Sequence, residues 1–131
     1  EVQSFPGINL NVGLGGVATG GQLTSMTITN NTIRKMNGSR AITLQDNQTT
    51  APLFPTICAN ISGNIMSDVF GQAGDGTYVR IRRLNGIFNV TQASQAALEA
   101  ANTCQGGSCA GLFAPSGTIT YGQPACTLPS N

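Results

Sequence analysis

The 131-residue chain contains no histidine and very little charge. Six Lys or Arg face five Asp or Glu, the formal net charge is +1, and only 8% of residues are charged, about a third of the usual share. A sequence so poor in cations does not suit binding by counterion release, so no nucleic acid partner is expected. Without His, and without a C-x2-C pair, there is no zinc ligand set, and no cofactor is expected. No apolar run approaches the roughly 20 residues of a membrane span, so no membrane insertion is expected. No basic segment followed by an apolar run lies after Glu1. Either a signal has been removed or the chain is part of a longer protein.

What is present is uncharged and polar: Thr, Ser, Asn, Gln and 17 Gly, with 40% hydrophobic residues. This is enough for one modest core, and residues 1–131 read as a single domain. Four cysteines allow three pairings. Cys104 and Cys109 flank a Gln-Gly-Gly-Ser loop, which favours pairing them with each other and Cys58 with Cys126. Disulfides at those positions place the protein in an oxidising compartment, secreted or at the cell surface.

The organising signal is a repeat. Met26–Ile33 (MTITNNTI) overlies Ala59–Met66 (ANISGNIM) at an offset of 33, which sets Ile28 on Ile61, Thr29 on Ser62 and Asn31 on Asn64. Ile42 falls on Val79 and Leu44 on Ile81 at an offset of 37. Period-two alternation within each segment, clearest in Tyr78–Arg82, marks short strands. Asn30-Asn31 and Gly63-Asn64 mark bends. Residues whose apolar faces can be buried only against the next repeat predict an all-β fold, a short parallel β-helix of about two to three coils over residues 22–90. Cys58 points outward on this reading. The Gly-rich segment 1–21 carries an alternating strand at Ile8, Leu10, Val12 and Leu14. It is the candidate assembly strand, placed to cover what Met26 and Ile28 leave exposed. Residues 91–131 predict a capping helix from Gln92 to Ala101, with Thr91 as its cap, and a disulfide-tethered tail with one strand at Thr118–Tyr121.

Candidate sites are few. Asp46 and Asp75 follow strands, yet no nucleophile motif or paired carboxylates of glycosidase type accompany them. No catalytic residue is assigned, and solvated turn aspartates are the expectation. Gly71–Gly76 (GQAGDG) holds a single acid and reads as a turn, with no metal assigned. Arg80, Arg82 and Arg83, with Tyr78, form the candidate contact for a glycan or a partner. Outward charge on a strand equally serves to discourage stray edge pairing. Sequons stand at Asn30, Asn37, Asn47, Asn60 and Asn89, against about two expected from the composition. Asn at bends accounts for three of them without glycan.

The paired I-[TS]-x-N bends, the run YVRIRRLNGIFNV leading to an Ala-rich helix and the closing ACTLPSN resemble the right-handed parallel β-helix regions of large secreted bacterial surface proteins, particularly their C-terminal ends. The chain also resembles the pectin-lyase-like fold class. The resemblance implies an extracellular scaffold and carries over no catalytic residues. The expected role is therefore non-enzymatic. The chain is either a β-helical unit ending a cell-surface adhesin or a self-assembling filament subunit that stacks end to end. The alternative is a carbohydrate-binding or polysaccharide-cleaving module with a groove of Asp46, Asp75, Tyr78 and Arg80.

Overall fold

The computed structural model describes residues 7–12, 23–36, 40–47, 55–69 and 77–124. Ten strands and one short helix occur among them: β1 Ile8–Val12, β2 Leu23–Thr29, β3 Thr32–Met36, β4 Ile42–Asp46, β5 Thr56–Ser62, β6 Ile65–Val69, β7 Val79–Arg82, β8 Ile87–Val90, α1 Gln95–Ala100, β9 Phe113–Ser116 and β10 Thr120–Tyr121. The fold is all-β, and every strand pairing is parallel. Strands order as β1-β4-β7-β9 in one sheet, β10-β8-β5-β2 in a second and β3-β6 in a third.

The chain crosses these sheets in a fixed sequence. It passes through the second, third and first sheets as β2, β3 and β4, and again as β5, β6 and β7. On the third pass β8 is followed by α1 and an isolated bridge from Thr103 to Ile65, then by β9. β10 then returns to the second sheet.

Alternation decides what each sheet buries. Ile8, Ile42, Val79 and Phe113 share one register position across the first sheet, and Leu10, Leu44 and Ile81 share the next inward one. In the second sheet Ile57 meets Phe88, Ala59 meets Val90, and Ile28 meets Ile61. Ile33 meets Met66 in the third. All of these belong to one apolar core, with Ile8 and Leu10 partly buried against it. Burying each such side chain contributes roughly 1.5–3 kcal/mol. The predicted pairs at offsets of 33 and 37 stand in register.

Four expectations need correction. The helix begins at Gln95, because the Thr91 N–H still donates to Ala59 O at 3.0 Å, and Ser94 supplies the cap to Ala97 N at 3.1 Å. It spans six residues and does not end the fold, since β9 and β10 follow it into the sheets already formed. β9 itself was hidden by Pro115, and the strand expected at Thr118–Tyr121 shrinks to Thr120–Tyr121. β1 lies on β4 in the first sheet, so it does not cover Met26 and Ile28 in the second. Leu14 lies outside the described residues.

Cys104 and Cys109 are joined, closing the loop between α1 and β9. Cys58 shares the outer face of the second sheet with Ser25 and Asn89. It is 3% exposed and disulfide-bonded. Its expected partner, Cys126, lies outside the described residues.

Truncating a stacked core side chain should cost far more than truncating an outward one. Leu44→Ala, at a fully buried position, is expected to lose about 2–5 kcal/mol by urea unfolding. Ile87→Ala, 54% exposed, is expected to stay within about 0.5 kcal/mol. Equal losses would contradict the assigned faces.

Candidate functional site

The bends between the second and third sheets carry a column of carboxamides. Asn30 and Gly63 both adopt left-handed backbone, with φ of 58° and 67°. Each is followed by an Asn whose side chain turns inward. Asn31 Nδ2 donates to Asn64 Oδ1 at 2.9 Å, and Asn64 Nδ2 donates to Asn102 Oδ1 at 2.8 Å. Backbone groups join the column: Asn31 N donates to Asn64 Oδ1, and Asn64 N to Asn102 Oδ1, both at 3.1 Å. Asn102 ends the run by donating to Leu98 O at 2.8 Å and Ile61 O at 3.1 Å. Asn64 is fully buried, an affordable position for an amide only when its donors and acceptor are satisfied. Gly63 is required beside it, because a Cβ there would run into the Asn30 side-chain oxygen.

The sequence repeat pointed to Asn31 and Asn64 but not to Asn102. That residue stands 38 positions after Asn64 because α1 is inserted before it, which breaks the repeat. An Asn directly after the Ala-rich helix was the available signal.

The candidate acid Asp46 is tied to backbone. Asp46 is 1% exposed, and its Oδ2 accepts the backbone N–H groups of Leu84, Asn85 and Gly86 at 3.2, 2.9 and 2.6 Å. The expectation of a solvated turn aspartate is thus corrected: the carboxylate is enclosed, holding the turn between β7 and β8. Gly86 must be glycine, since a Cβ there would strike the Pro55 carbonyl oxygen. Asp75 and the segment Gly71–Gly76 lie outside the described residues.

The contact residues are partly separated. Arg80 and Arg82 share the outer face of β7, beside Thr43 and Gln45 of β4 and Ala114 and Ser116 of β9. Arg83 Nε turns to the Gly86 carbonyl. Tyr78 is buried within the apolar cluster, its hydroxyl bonded to Gln105 Oε1 at 3.3 Å. The same face carries side-chain amides: Gln45 Nε2 and Asn47 Nδ2 both donate to Asn11 Oδ1.

Among the sequons, Asn30 is exposed at its bend. Asn60 accepts from Gln92 Nε2 at 2.9 Å, and Asn89 Nδ2 lies 3.8 Å from Cys58 Sγ. Asn37 lies outside the described residues. Among the described residues there is no pocket, and no cluster of His, Cys, Asp or Glu suited to a metal ion.

At the start of the stack, β1, β2 and β3 each pair on one side only among the described residues. Asn31 Oδ1 receives no donor there, although its counterparts in Asn64 and Asn102 each receive two. No protein-family model, curated protein or solved structure matches the chain.

Removing the middle of the column should be costlier than removing its first member. Asn64→Ala strands buried partners on both sides and is expected to lose about 2–3 kcal/mol, against about 1 kcal/mol for Asn31→Ala. Chemical denaturation of both variants measures the order, and its reversal would contradict the column.

Tyr121 provides a pH test. Burial raises the pKa of its phenol above 10.0, and the charge of Glu99 adds to the effect. The unfolded chain therefore loses this proton first as pH rises. Stability from the neutral phenol is complete below pH 10 and is lost above it, until the folded phenol also ionises. The stability of the parent minus that of Tyr121→Phe should be constant below about pH 9 and fall as pH rises past about 10. Parallel curves across that range would refute the burial assigned to Tyr121.

Proposed function

We propose that the three sheets are the walls of a short parallel β-helix, and that this helix is the terminating, non-enzymatic unit of an extracellular structural protein. The observation that carries the proposal is the inequality of its two ends. The first end presents edge strands of five, seven and five residues, β1, β2 and β3. The last end presents β9, four residues interrupted by Pro115, β10, only two residues long, and β6, five residues met at Ile65 by the bridge from Thr103. Short edges and proline discourage a further strand from adding, whereas long uninterrupted edges invite one. Growth is thus better supported at the first end, with three full edges, than at the last, where two of the three are short or broken. This favours a unit that ends a longer surface protein over a filament subunit that must join at both ends.

An extracellular setting draws support from the Cys104–Cys109 disulfide and from Cys58, also disulfide-bonded. The described residues contain no helix long and apolar enough to cross a membrane. The carbohydrate-cleaving alternative would use Asp46, whose oxygen is occupied by three backbone donors.

Brief protease treatment of intact producing cells, followed by mass spectrometry, tests this role. Peptides of the chain should be released before any cytoplasmic marker, and alkylation without prior reduction should leave the cysteines unmodified. Recovery only from the cytoplasmic fraction, with thiols alkylated, would sink the extracellular reading.

A further inference from the structure

We infer that the edge formed by β2 and β3 is the seat of a preceding coil, joined covalently through β1, whose bend carries an asparagine that donates to Asn31 Oδ1. The inference rests on reading the sheets as a β-helix and names what covers its open end. Three observations carry it.

The order of travel is the first. Each pass runs through the second sheet, then the third, then the first. β1 occupies the first sheet beneath β4, so it is the last strand of a pass whose first two strands would lie on β2 and β3. Counting back by the offset of 33 that relates β2 to β5 and β3 to β6 puts the first of those strands and the counterpart of Asn31 before Glu1, and starts the second there as well. A preceding coil would therefore run directly into Ile8.

The polarity of the asparagine column is the second. In every step a residue nearer the N-terminus donates both a backbone N–H and a carboxamide N–H to the Oδ1 of the next. Asn31 Oδ1 is the one acceptor in the column left without this pair among the described residues. Its proper partner is a backbone N–H and side-chain amide presented at the same bend, which is what an Asn after a left-handed Asn or Gly supplies.

The third separates this occupant from a second copy of the chain. A copy stacked head to tail would offer its last strand, β10, two residues long, to a β2 edge of seven. After β10 the sequence reads Gly122-Gln123-Pro124 and holds no asparagine before Asn131. Such a copy lacks the strand length, and after left-handed Gly122 it offers the longer Gln123, whose Nε2 donates back to Tyr121 O and whose N–H donates to Val90 O, in place of an asparagine.

The test compares the 131-residue chain with a variant in which residues 1–7 are replaced by a second copy of residues 23–41. The duplicated segment then enters Ile8 as the original enters Ile42. Amide hydrogen exchange, light scattering and thermal unfolding are measured on both. The expected result is a monomeric parent whose β2 and β3 edge amides exchange at least about tenfold faster than those of β5. In the extended variant they should slow by at least about tenfold, with Tm raised by several degrees. Placing Ala at the grafted asparagine should remove part of that rise.

Several results would overturn the inference. If β2 and β3 are as protected as β5 in the monomeric parent, the chain covers its own edge. If their protection and the particle mass rise together with concentration, a second copy is the occupant. If grafts with Asn and Ala melt alike, Asn31 does not select its partner. The parent measurements decide the first two points even if the graft does not fold. Failure of the β-helix reading itself would look different, because the β5 amides between β2 and β8 would then also exchange freely.

Discussion

Parallel strands paired in register hold each side chain about 4.8 Å from its counterpart on the next strand. That constraint governs what this chain can place inside. An aliphatic side chain meets another of similar size, as with Ile42 between Ile8 and Val79. A carboxamide must meet a carboxamide with its dipole in the same sense, as in the column through Asn64. A lone polar group at such a position would lose water and gain nothing, so polar residues enter the interior as a connected series or not at all.

Asp46 follows the same logic where the stack is interrupted. It ends β4 at the register position occupied by Val12 in β1, and no carboxylate lies beside it in the neighbouring strand. Its charge is instead met by three consecutive backbone N–H groups of the turn after β7. Asp46, weighed together with Asp75 as a candidate acid, is thus the clamp that sets the entry into β8. The outer faces answer to a weaker constraint. Amides and guanidinium groups there can pair laterally or with water, which allows Gln45, Asn11, Arg80 and Arg82 to share a face without forming an enclosed site.

The two ends of the stack differ because edge strands carry different risks. Pro115 and the brevity of β10 leave few backbone groups to attract another strand. β2, with seven residues and alternating Ser25, Thr27 and Thr29 on its outer face, pairs on one side only among the described residues. A fold of this kind is directional, and its polarity is written both in the strand edges and in the orientation of the asparagine amides.

The stacked pairs were legible because each obeys a local rule: alternation sets the face, and an Asn or Gly bend sets the phase. Ile28 on Ile61, Leu44 on Ile81 and Asn31 on Asn64 all follow from that. Local rules stop where an insertion shifts the phase. Asn102 escaped because α1 precedes it, and β9 because Pro115 resembles a loop. Tyr78 was read as a surface residue, although the loop closed by Cys104 and Cys109 lies over it through Gln105. The sequence by itself determined strand period, bend positions and the parallel register, since these depend on residues a few places apart and on one recurring offset. Only the tertiary structure decided that Asp46 binds a turn 38 to 40 residues away, that β1 joins β4, and that the amide column among the described residues leaves an acceptor open at Asn31. Those outcomes depend on which chain segments meet in space, and no local pattern encodes that.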